Sequence, residues 1–178
     1  MRLYLVLLVS LPSLAFGQVN YPKFIEQFDR FNTLDISETQ VRNLDLRTLE
    51  KIDTATVNLF MPYEYMTRGP YNTHDFLRFY KLGRVQIDDD RELLIYVKAG
   101  GAGAVNNFIF GLLLLNDNYC AHFELGGLHS DLGFQRLITS KIIDSEVVVV
   151  RQEYVGNGDD TYTLDSTVEN RITLLNCN

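Results

Sequence analysis

The sequence predicts a mainly β fold of the α+β kind: an antiparallel meander of about eight or nine strands, forming an open barrel or a twisted sheet, with one or two N-terminal helices packed on it. Three observations carry this reading. Short runs rich in Val, Ile, Leu, Phe, Tyr and Thr recur from Phe76 to the C-terminus. Asp and Asn cluster between these runs, where a tight turn needs residues that tolerate the left-handed conformation. Near the start, phenylalanines recur at helical rather than strand spacing.

In chain order, Met1 to Gly17 has the form of a cleavable secretory signal. Arg2 gives the charged start, Leu3 to Leu11 the apolar stretch, and Ala15 and Gly17 the small residues at the cut. The apolar run ends at Pro12, well short of the about 20 residues that a membrane span needs. Residues 18–178 are then one domain, exported to a secreted or periplasmic location. Tyr21 to Asn32 reads as an amphipathic helix, with Phe24, Phe28 and Phe31 on one face, beside Ile25, and Glu26, Asp29 and Arg30 on the other. Ser37 to Ile52 is ambiguous: Ser37 and Gln40 resemble a capping box, whereas Asn43 to Leu46 alternates as a strand would. Thr54 to Phe60, rich in Thr and Val, reads as the first strand of the sheet.

Four hairpins are expected after Phe76. Arg78 to Ile87 and Glu92 to Lys98 flank Asp88 to Asp90, and Phe108 to Leu115 and Tyr119 to Leu125 flank Asn116 to Asn118. Leu137 to Ile143 and Glu146 to Tyr154 flank Asp144 and Ser145, and Thr161 to Val168 and Arg171 to Cys177 flank Glu169 and Asn170. Phe108 to Leu115 and Val147 to Val150 are apolar on both faces, which makes them central strands covered on both sides, one of them by the Phe-rich helix.

The chain carries a net charge of −7, and loss of Arg2 with the signal makes it more acidic. With its basic residues scattered, it has no footprint for nucleic acid or an anionic membrane surface. No cofactor motif is present. The glycines at Gly100, Gly101 and Gly103 run into a strand, whereas a phosphate-cradling loop opens a helix.

Several side-chain sets invite a functional reading. Alternation along Tyr119 to Leu125 puts Cys120, His122 and Glu124 on one face, but same-face neighbours about 7 Å apart are too distant for direct proton transfer. His129 and Asp131 could join His122 around zinc or copper, but spacing alone is weak support, and the acidic turns Asp88 to Asp90 and Asn157 to Asp160 lack the ligand pattern of a calcium loop. There is no nucleophile elbow, no His-Glu-x-x-His and no paired-acid signature, which weighs against a small hydrolase.

The loop Met61 to Asn72 is the candidate binding surface, through Tyr63, Tyr65, Met66, Arg68 and Tyr71, since Tyr and Met give large contact area at low entropic cost. The expected function is a non-catalytic module that recognises a protein or a glycan. The alternative is a carrier holding an apolar small ligand in a partly closed barrel.

The two cysteines, Cys120 and Cys177, fall in the exported part, where an oxidising compartment favours a single disulfide. Closing so long a loop contributes about 4 kcal/mol on the chain-entropy account. Denaturation with and without reductant should therefore differ by about that amount. An unchanged unfolding midpoint would count against the bridge.

Overall fold

A computed structural model describes residues 21–61, 77–100, 107–131, 133–158 and 161–174. The fold is mostly β, as the sequence predicts. Seven long strands run in sequence order as an antiparallel meander: β4 (Arg78–Gln86), β5 (Arg91–Ala99), β6 (Asn107–Leu115), β7 (Asn118–Asp131), β8 (Phe134–Ile143), β9 (Glu146–Gly156) and β10 (Tyr162–Thr173). Three two-residue strands precede them: β1 (Arg30–Phe31), β2 (Asp35–Ile36) and β3 (Lys51–Ile52). Among the described residues three short helices accompany these, α1 (Tyr21–Ile25), α2 (Glu38–Arg42) and α3 (Thr54–Phe60). Among the described residues the sheet does not close on itself.

Two of the expected turns take the conformation that their residues favour. Asn116 and Asp117 have φ of 48° and 60°, and Asp144 and Ser145 have φ of 50° and 63°. Two consecutive left-handed residues match the right-handed twist of the flanking strands, so each pair closes a two-residue hairpin. The third turn works through a side chain: the Asp88 carboxylate accepts from the backbone N–H groups of Asp90 and Arg91.

Strands β5 and β6 are apolar on both faces and covered on both. On one side, Leu93, Ile95, Val97, Ile109 and Leu113 join the larger core with Leu125, Leu137 and Val147. On the other, Leu94, Tyr96, Leu112 and Leu114 pack against Phe24, Ile25 and Phe28 of the N-terminal segment and Val57 of α3. The aromatic contacts are specific: Phe24 stacks on Phe60 with ring centroids 4.3 Å apart and meets Phe28 edge-on at 5.2 Å. The expected cover of the sheet by the Phe-rich segment is thus present.

Three local expectations are corrected. The first helix stops at Ile25, and Arg30–Phe31 instead pairs in parallel with Arg84 and Val85 of β4. The reason is a set of anchors: Arg84 donates from its backbone N–H to the Asp29 carbonyl, from Nε to the Phe28 carbonyl, and from a guanidinium nitrogen to Glu92 at 3.0 Å.

Thr54–Phe60 is a helix, not a strand. Asp53 caps it by accepting from the Thr56 N–H at 2.9 Å, and a cap together with burial of Val57 outweighs the strand preference of Thr and Val. Finally, the chain does not turn at Glu169 and Asn170, where a hairpin is expected; Tyr162–Thr173 is one continuous strand paired along β9.

The N-terminal strap does what the sheet does not. β1 lies on the outer edge of β4, while β2 pairs with Ser140 and Lys141 of β8, and Ile142 donates to the Leu34 carbonyl. Room for β2 exists because β7 pairs β8 only over Gly127 to Asp131, leaving the far half of β8 with a free edge. Residues 30–36 therefore tie β4 to β8 across the mouth of the curved sheet.

Gly83 seats this strap. A Cβ there would lie 2.3 Å from the Phe31 ring, so only glycine allows the ring to rest on β4. Because the Phe31 ring is 39% exposed and can swing aside, Gly83→Ala should cost at most about 1 kcal/mol in chemical denaturation, with a smaller loss in a Phe31→Ala background. Equal losses in both backgrounds would mean that the ring is not what the methyl group meets.

Candidate ligand cleft

Between the strap and the concave face of the sheet lies a half-open cleft of about 890 Å³, within the size range of small-molecule sites. Its floor is apolar: Leu82 of β4, Ile95 of β5 and Ile109 of β6. Leu82 reaches it because of a bulge. Lys81 pairs with Tyr96 and Gly83 with Ile95, so Leu82 has no partner on β5. The roof is the strap, with Leu34 and Ile36 among its apolar residues. Gly126 leaves room for that roof, since a Cβ at this position would lie 2.8 Å from the Ile36 side chain.

The rim is polar, and its backbone is held by caps. Ser37 and Gln40 form the capping box anticipated from the sequence: the Gln40 N–H donates to Ser37 Oγ, and the Ser37 N–H donates to Gln40 Oε1 at 2.7 Å. This starts α2, which brings Thr39, Gln40 and Asn43 to the opening. Asp45 then caps a short 3₁₀ turn, Leu46–Thr48, accepting from the Arg47 N–H. The Arg47 guanidinium also bonds Asp45, and these contacts hold the Asp45 carboxyl down at about 2. Asp45 is thus ionised at the rim, which Arg30 and Asp35 of the strap also line.

A second cluster lies on the opposite face of the sheet. Tyr96 is fully buried, and its hydroxyl lies 2.7 Å from His122 Nε2. The His122 ring stacks on Phe110 at 4.9 Å, and the Lys98 ammonium sits 5.6 Å above the same Phe110 ring. Glu124, one step along β7, has its carboxyl pushed above the usual range by burial, partly offset by Arg151 and Arg136.

The other residues singled out in the sequence are scattered. Cys120 does not share a face with His122: Leu113 pairs with Ala121 and Leu114 with Tyr119, so Cys120 occupies a bulge and packs against the larger core beside Ala121 and Phe123. It is not a free thiol, and its expected partner Cys177 lies outside the described residues.

His129 and Asp131 end β7, with the His129 ring 6.4 Å from Phe134. Among the described residues no group of three His, Cys, Asp or Glu is placed to hold a metal ion. Tyr63, Tyr65, Met66, Arg68 and Tyr71 lie outside the described residues, as does the proposed signal Met1 to Gly17.

The cleft itself was not foreseen from the sequence. Its one linear trace is Gly83 inside an otherwise regular strand pattern, a common sign of a bulge or of close approach by another segment. No helix among the described residues is long and apolar enough to cross a membrane. Comparison of the chain with protein families, with characterised proteins and with solved structures finds no match.

The raised carboxyl of Glu124 sets a pH dependence. Because the fold favours its protonated form, the contribution to stability is complete at low pH and is lost as pH rises through the folded value. Glu124→Gln should therefore gain stability relative to the parent between about pH 4 and pH 7, followed by urea denaturation across that range. A parent–variant difference that does not change with pH would contradict this.

Proposed function

We propose that the protein is a non-catalytic binding module, exported to a secreted or periplasmic location, that carries an amphipathic small ligand in the cleft beneath its N-terminal strap. The observation that supports this is the pairing of an apolar floor, formed by Leu82, Ile95 and Ile109, with a rim of hydroxyl, amide and charged groups. An apolar body buried against the floor contributes about 25 cal/mol per Å² removed from water, and the polar rim favours a molecule with a hydrophilic end. This favours the carrier over recognition of a protein or glycan through the Tyr-rich loop.

The cleft lacks the arrangement that would suit hydrolysis. Of its described lining residues, none is a His, Cys or Ser, and its acids Asp35 and Asp45 stand at the rim, Asp45 already occupied by Arg47. His122 lies on the other face of the sheet, bonded to a buried tyrosine. Export rests on the form of Met1 to Gly17 and on the placement of both cysteines after it.

The test is saturable binding of medium-chain and long-chain amphiphiles by calorimetry, together with native mass spectrometry of the protein as isolated. One-to-one binding is expected, weakened at least about tenfold by Leu82→Trp, which fills the floor. The Tyr63→Ala/Tyr65→Ala variant should bind unchanged. No saturable binding, or loss only in the tyrosine variant, would overturn the carrier reading.

A further inference from the structure

The last strand, β10, has an open side. It pairs with β9 along one edge, and no other strand among the described residues pairs with its second edge. Nearly all of its residues are exposed, including Val168 at 47%. A long uncovered edge offers a row of unpaired backbone donors and acceptors, which natural sheets cover, blunt or use for association.

The sequence on that edge is chemically palindromic. Thr167 to Thr173 reads Thr-Val-Glu-Asn-Arg-Ile-Thr, so each residue matches its counterpart about Asn170, and the one charged pair matches with opposite sign. We propose that this protein forms a two-fold symmetric dimer by antiparallel pairing of β10 with β10 of a second copy, centred on Asn170.

In that register Thr167 faces Thr173 of the second copy, Val168 faces Ile172, Glu169 faces Arg171, and Asn170 faces Asn170. An isologous interface requires such self-complementarity, because residue i meets residue j and j meets i. Directly opposed side chains on a ladder share a face, and each match here is a stabilising type: hydroxyl with hydroxyl, aliphatic with aliphatic, acid with base.

Neighbouring registers fail this test. Centring on Thr167 opposes Asp165 to Glu169, and centring on Glu169 opposes that glutamate to itself. Centring on Val168 places Asp165 and Leu164 in the pairing, where the β9 ladder breaks between Leu164 and Ser166. The Asn170 register uses only the regular stretch beyond that bulge.

The monomer keeps the two charges ready on one face. Arg171 lies 3.0 Å from Glu169 and 3.4 Å from Glu146, whose strand neighbour is Thr173. In the dimer each Arg171 also meets Glu169 of the second copy, so that the charges form one alternating row across the two-fold axis. The two sheets then continue into one another through β10.

Sedimentation equilibrium of the full chain tests this. The parent should be dimeric at about 100 µM, and Glu169→Arg or Arg171→Glu, each placing like charges opposite one another twice, should raise the dissociation constant about tenfold. The double variant Glu169→Arg/Arg171→Glu should recover most of the loss.

Cross-linking reads the register without depending on the charges. Asn170→Cys stands on the axis and should give a reducible covalent dimer under mild oxidation, whereas Thr163→Cys on the same strand should not. A monomeric parent, an uncorrected double variant that retains the parent's circular dichroism, or equal cross-linking at both positions would overturn the proposal.

Discussion

The constraint on which the structure depends is that β5 and β6 are apolar on both faces while their own meander can bury only one of them. Leu93 to Val97 form an unbroken buried run, odd-numbered side chains toward one core and even-numbered ones toward the other. Each aliphatic side chain left exposed would forgo about 1.5–3 kcal/mol, a large fraction of a typical net stability. The N-terminal segment resolves this by crossing the edge of β4 twice. Phe24, Ile25 and Phe28 cover one face; β1 passes along the edge; Leu34, Ile36 and Val41 cover the other; and β3 returns the chain so that Val57 and Met61 finish where it began. The strap, and hence the cleft beneath it, is a consequence of that double crossing.

Bulges then decide which side chains the strands present. The unpaired position at Leu82 turns a leucine into the cleft floor and precedes the glycine on which Phe31 rests. The break between Leu113 and Leu114 turns Cys120 into the larger core and away from His122. In each case one extra residue reverses the alternation beyond it, which is why face assignments by strict period two hold only between bulges.

This explains how far the sequence could be read. Turns such as Asn116-Asp117 and Asp144-Ser145 were legible because they are closed by their own residues, and β5 and β6 were legible as central because apolarity on both faces has no other economical reading. Thr54–Phe60 was misread because strand propensity is weak beside one aspartate cap and one buried valine. Glu169-Asn170 was misread for the opposite reason: polar residues at the middle of a strand usually mark a turn, and only an edge tolerates them in extended form. The cleft was illegible because its lining is assembled from a strap, a helix and three strands, brought together by tertiary pairing that leaves almost no linear trace.

The cleft and the β10 edge sit at opposite ends of one sheet, which bears on whether filling one site can influence the other. Coupling requires an element between them with two discrete arrangements that both sites bias. The connecting path runs from the strap through β2 to β8, then through β9 to β10. The β8–β9 ladder in that path keeps a single register from Phe134 to Ile143 with no bulge, and no β9 or β10 side chain lines the cleft. A register so pinned by Val147, Val149 and Leu137 in the core has no low-cost alternative, because a one-residue slip would turn each of them to the wrong face. On the proposed reading, ligand capture and self-association would therefore act as independent equilibria, each adding its own mass-action stabilisation to the same fold.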